Sequence, residues 1–82
     1  MLENVKKLLE PSINELGFKL DDVIYEKEGS LWFLRVIIDK ETLVTVDDCV
    51  TVCKKINPIL YEADLIKDSY ILDVCTKEKG ND

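Results

Sequence analysis

The sequence predicts an α+β domain, a two-layer sandwich in which two helices lie on one face of a three-stranded sheet. Three observations carry this reading. Apolar residues recur at helical spacing in two stretches, one at the amino terminus and one after residue 45. Three further stretches have the length and apolar density of strands. Their order along the chain is helix, strand, strand, helix, strand, and two amphipathic helices can bury their stripes only against the sheet that the strands form. At 82 residues there is material for one core, and a chain of this size hides only about 60–65% of its surface on folding.

The first helix is set by Leu2, Val5, Leu9, Ile13 and Leu16, with Leu8 alongside, while Glu3, Lys6, Lys7, Glu10 and Glu15 face outward. Pro11 falls inside this pattern. Its ring crowds the carbonyl four residues back and it has no amide proton, so a kink or a broken turn is expected there. Gly17 follows the last apolar position and is a natural left-handed stop.

The first strand, Phe18 to Glu28, carries Leu20, Val23, Ile24 and Tyr25. Its alternation slips by one residue at Asp21-Asp22, which predicts a bulge. Glu28-Gly29-Ser30 supplies a turn, and Leu31 to Asp39 returns antiparallel. In this second strand Trp32, Leu34, Val36 and Ile38 share one face, and Leu31, Phe33, Arg35, Ile37 and Asp39 share the other. Both faces are rich in apolar residues. That implies a strand covered on both sides, or an exposed face that awaits a partner.

Thr45 opens the second helix as its cap, its hydroxyl placed to accept from the amide of Asp48 in an acidic variant of the capping box. Asp47 and Asp48 fall in the first turn, where the helix dipole favours negative charge. Cys49, Cys53, Ile56 and Leu60 form the apolar stripe, flanked by Val52 and Ile59. Pro58 interrupts it, so the helix is expected to bend near Ile56 or to end close by. An acidic link from Glu62 to Asp68 leads to the third strand, Tyr70 to Cys75, and the tail from Lys77 to Asp82 has no apolar residue and reads as loose. The third strand is expected beside the first, which would make the first strand central.

Composition narrows the function. The 11 basic and 17 acidic residues give a net charge of −6, which opposes unaided contact with a phosphate backbone and suits a basic protein partner or simple solubility. No apolar run approaches the ~18 residues of a membrane helix. Lys6, Lys7 and Glu10 interrupt any apolar stretch that could act as a secretory signal, so a cytoplasmic, reduced setting is expected for the three cysteines.

The chain has no histidine, which removes the usual nucleophile pairs and the commonest metal ligand. Its three glycines form no phosphate cradle. Cys49, Cys53 and Cys75 could grip a soft metal only in an unusual helical arrangement, and burial as small apolar side chains explains them better. Asp21-Asp22 and Asp47-Asp48 fit a bulge and a helix start more simply than acid–base chemistry. Tyr25 and Trp32 could stack on a base, but no dense set of lysines accompanies them and core packing is favoured. No cofactor, metal or catalytic residue is expected.

Several ordered fragments bring a family into view. They are Leu16-Gly17, Trp32-Phe33-Leu34-Arg35-Val36, Ile38-Asp39-Lys40, Val44-Thr45-Val46-Asp47-Asp48-Cys49 and Tyr70-Ile71-Leu72-Asp73-Val74. Together they resemble the amino-terminal domain of the ribosome maturation factor RimP family, over residues 2 to about 76. The resemblance implies a non-catalytic cytoplasmic factor that associates with the immature small ribosomal subunit and promotes its assembly. It also implies a domain at residues 1–76, with residues 77–82 a flexible tail or the start of a linker to a second, Sm-like barrel domain. Where the family usually has a glycine-containing turn, this chain has Glu41-Thr42-Leu43, so that turn must be built differently.

The competing reading is a small KH-like RNA-binding module. It shares a comparable element order but needs a Gly-x-x-Gly loop, which is missing, and a basic surface. Under the favoured reading the partner is a basic ribosomal protein of the small subunit, with any RNA contact left open, and the chain itself is a monomer. The connection between the second strand and the second helix is short. It should bring Asp39 and Lys40 to the same edge as Asp47 and Asp48, and these four are the candidate partner-binding residues.

Overall fold

The computed structural model describes residues 2–66 and 68–76. The elements are α1 (Leu2–Glu15), β1 (Lys19–Glu28), β2 (Leu31–Asp39), α2 (Val46–Ala63) and β3 (Ile71–Thr76). They form the predicted α+β sandwich. β1 and β2 pair antiparallel, β2 and β3 pair parallel, and α1 and α2 lie side by side, α1 against β1 and α2 against β3. The tail at 77–82 lies outside the described residues.

The core is built from matched stripes. Val5, Leu9 and Ile13 of α1 and Val52, Ile56 and Leu60 of α2 meet Leu34, Val36 and Ile38 of β2, and none of the nine is more than 4% exposed. Among the described residues no buried one is polar or charged. Each of the fully buried aliphatic side chains contributes about 1.5–3 kcal/mol relative to exposure. Every one of these β2 residues lies on the same side, and among the described residues no helix lies on the opposite face of the sheet.

The strand order is β1-β2-β3. This corrects the expected arrangement, because β2 is the central strand and β3 sits beside it. The reason lies in side-chain chemistry: β1 carries Lys19, Asp21, Asp22, Glu26, Lys27 and Glu28, whereas β2 has Arg35 as its one charged residue before Asp39. Of the two hairpin strands, β2 carries far less charge and is the better suited to lie inside the sheet with a neighbour on each edge.

At neither proline does the helix break or end. α1 runs unbroken through Pro11, and α2 passes Pro58 to end at Ala63. Both rings stand on exposed helix surface. A proline in a helix interior costs about 3 kcal/mol, and each stripe has three buried anchors that together outweigh it.

Local stops follow the backbone chemistry. Gly17 takes φ +94, with the Gly17 amide donating to the Asn14 carbonyl at 2.9 Å and the Phe18 amide to that of Ile13 at 3.1 Å. This is a Schellman ending, with Phe18 and Ile13 both in the core. α2 ends on Asp64 in the left-handed region, its amide donating to the Leu60 carbonyl at 3.1 Å. Glu28 pairs with Leu31 across a two-residue loop, Gly29-Ser30, with Gly29 at φ +65, as a tight hairpin with glycine first requires. The predicted bulge lies between Leu20 and Asp22. Asp22 tethers it, accepting from the Val23 amide at 2.8 Å and pairing with Lys6 of α1 at 3.0 Å.

Because the helix already accommodates Pro11 without interruption, replacing it restores a backbone donor at no cost in packing. Pro11→Ala is expected to raise stability by about 1–3 kcal/mol in denaturant unfolding. An unchanged or lower midpoint would show that the ring itself supplies a stabilising contact.

Candidate partner-binding surface

The four candidate residues do come together, at the junction of β2 and α2. Thr45 has the extended conformation of a cap. The Asp48 amide donates to its hydroxyl at 3.1 Å, and the Thr45 amide donates to the Asp48 carboxylate at 2.9 Å, which closes the capping box. Lys40 reaches across the turn to the same carboxylate at 2.8 Å, with its ammonium 5.2 Å from the centre of the Phe18 ring. Asp39 accepts from the Lys40 amide at 2.9 Å. The turn at Glu41-Thr42-Leu43 is therefore spanned by the Lys40 side chain.

Three of the four are thus engaged within the chain. Asp48 is held below the usual aspartate range, first by the hydrogen bond from Lys40 and then by that from the Thr45 amide. Asp47, one position earlier, is exposed on the first turn of α2. It is flanked by Val46 at 79% and Val50 at 46% exposure, with Leu43 of the preceding turn at 80%. The edge that sequence reasoning marked as charged therefore carries an exposed apolar component as well.

A second charged group lies on the face of the sheet that no helix covers. Arg35 of β2 pairs with Glu26 and, at 2.9 Å, with Glu28 of β1, and its Nε donates to Asp73 of β3 at 3.3 Å. Its guanidinium also lies 5.0 Å from the centre of the Phe33 ring. One cation thus faces three carboxylates, one strand contributing to each side. Ile24, Phe33 and Ile37 are half-buried around it, and Leu31 and Ile71 are exposed at 52% and 44%. The sequence signal for this face was the double-sided apolar pattern of β2.

The three cysteines, Tyr25 and Trp32 are partly buried within the fold. Cys49, Cys53 and Cys75 are free and half-buried. Burial pushes the Cys49 thiol up, aided by Asp48 and Asp73, and burial pushes Cys75 up, aided by Asp73. Both shifts run against thiolate formation. No group of three metal-binding side chains occurs among the described residues. Tyr25 and Trp32 stack on each other with ring centres 4.6 Å apart, and Tyr25 packs on the core. The Tyr25 hydroxyl is buried without a hydrogen-bond partner among the described residues. None of the described helices is long and apolar enough to cross a membrane.

Residues 8–77 match the family model of the RimP N-terminal domain. The match takes in β1, β2, α2 and β3 whole, and with them all four candidate residues.

Two expectations follow from the helix start. Thr45→Ala removes the cap acceptor and should cost about 1 kcal/mol in thermal or denaturant unfolding; full retention of stability would show that Lys40 and Asp48 hold the turn unaided. Asp48 has a lowered folded-state pKa, so its contribution is present above its unfolded pKa and is lost as pH falls through the folded value. Asp48→Asn should accordingly lower the melting temperature at neutral pH and leave it almost unchanged at strongly acidic pH. A deficit that is equal at both extremes would rule out a charge-dependent role.

Proposed function

The chain belongs to the RimP N-terminal domain family, one of ribosome maturation factors, and from that membership we propose that it binds the immature small ribosomal subunit and aids its assembly without catalysing a reaction. The single observation that carries the reading is the match over residues 8–77. The net charge of −6 agrees with a basic ribosomal protein as the immediate partner rather than naked RNA. The setting is the cytoplasm, and the chain acts as a monomer.

Contact is assigned to the edge formed by Asp39, Lys40, Asp47 and Asp48. Within it the roles differ. Asp48 holds the turn together, whereas Asp47 is exposed next to Val46 and Val50 and is free to meet a cation on the partner. A KH-like RNA-binding role has no comparable support, since the chain is acidic and has no Gly-x-x-Gly loop.

The experiment is a titration of purified immature small subunits with this chain at several salt concentrations. Binding is expected to weaken as salt rises. Asp47→Lys, which leaves the capping box intact, should weaken it further by about 0.5–2 kcal/mol. No association at any salt concentration would refute the assignment, and association that Asp47→Lys does not alter would move the contact away from this edge.

A further inference from the structure

We infer that the outer edge of β3, together with the flank of α2 above it, is an acceptor site for an extended strand of a basic polypeptide in which apolar and basic residues alternate. β3 is the last strand of the sheet, and among the described residues nothing pairs with its outer edge. Proteins usually shield such an edge with lysine, proline, a bulge or a covering element. The opposite edge of this sheet is shielded in that way: β1 is bulged between Leu20 and Asp22 and carries Lys19 and Lys27. β3, with the sequence Ile71-Leu72-Asp73-Val74-Cys75-Thr76, has none of these devices.

The neighbouring helix surface is shaped to match. Val46, Val50, Cys53, Asn57 and Tyr61 follow one another at steps of three or four along α2, so they share one flank. The later part of that flank faces the strand edge, because Cys53, Asn57 and Tyr61 line a groove of about 610 Å³ whose far wall includes Leu72 and Tyr70, and Val46 and Val50 continue the same line toward the start of the helix. Val46, Val50 and Tyr61 are 79%, 46% and 86% exposed, an unusual display of large apolar side chains in one line. A strand added about 4.8 Å from β3 would send alternate side chains beside Leu72 and Val74, beneath this flank. The intervening side chains would lie beside Ile71, Asp73 and Cys75, on the face of the sheet that no helix covers.

Charge selects the occupant. Among the described residues the one charged side chain lining the groove is Asp68, and the one lining the adjoining depression beside Tyr61 and Tyr70 is Asp64. Asp73 stands in the middle of the strand edge and shares Arg35 with Glu26 and Glu28, so this cluster of three carboxylates and one guanidinium stays net negative. A second copy of this chain would bring its own Asp73 and Asp68 against these carboxylates, and a nucleic acid would bring phosphates; an alternating strand with lysine or arginine opposite Asp73 brings the complementary sign. The site deepens the small-subunit reading above by naming where such a partner seats, and it can be tested apart from it.

The probe is a synthetic peptide of alternating valine and lysine, titrated into isotope-labelled full chain, with a valine–glutamate peptide and a single-stranded RNA in parallel. The lysine peptide is expected to shift the amide signals of β3 and of the Val46–Tyr61 flank and to slow hydrogen exchange in β3. Val50→Lys combined with Tyr61→Lys, both at exposed positions, should weaken its binding by about tenfold. Glu3→Gln with Glu10→Gln changes net charge equally on α1 and should have little effect. Shifts confined to other elements, equal binding of the glutamate peptide, a response to RNA in place of the lysine peptide, or concentration-dependent dimerisation through β3 would each overturn the assignment. Small subunits that fail to bind the chain, while the lysine peptide still seats on β3, would refute the functional reading and leave the acceptor site standing.

Discussion

A central strand must meet three demands at once: hydrogen-bond partners on both edges, a face that fits the helices, and a second face that tolerates whatever lies beyond. β2 meets them with Leu34, Val36 and Ile38 turned into the core and fully buried, and with Arg35 turned the other way to bind carboxylates on both neighbouring strands. α1 packs over β1 and α2 over β3, and the β2 side chains fill the core between them. β1 is attached to β2 by a tight hairpin, and β3 by the crossover through α2. Disturb β2 and both of the other strands lose their pairing partner.

The position of β2 also separates what could be read from the sequence from what could not. The helix stripes, the bulge at Asp21-Asp22, the Gly17 stop and the Thr45 cap are local features, determined by residues a few positions apart, and each was legible. The strand order is not local. It depends on whether the β3 row packs better beside β1 or β2, and the charges of β1 that mark it as an edge compete for notice with its own apolar residues. That both helices continue past their prolines was hidden for the opposite reason. Their local cost is real, but it is small beside the burial of three anchors per helix, which a local reading does not weigh.

The candidate edge was legible in outline and not in detail. A short connection had to bring residues 39–40 near residues 47–48, so their proximity followed from chain length. That Lys40 would span the turn to Asp48 and lie over Phe18 depended on side-chain geometry no spacing rule supplies. The result divides the acidic residues into two kinds. Asp22, Asp48 and the carboxylates around Arg35 are tied into the fold, while Asp47 and Asp68 stand exposed beside apolar surface. A charge of −6 is therefore unevenly available to a partner.

The parallel pairing of β2 with β3 has a consequence for the order in which the molecule assembles. Arg35 and Asp73 are 38 positions apart in the chain, whereas the β1–β2 hairpin closes across two residues. Loop closure makes distant pairings slow relative to adjacent ones. The hairpin and α1 can collapse together early, but β3 must wait for α2 to form and fold back over the nascent sheet. In that interval it is β2, the most apolar strand in the molecule, that stands as the open margin, and the last strand to arrive is the one that closes it.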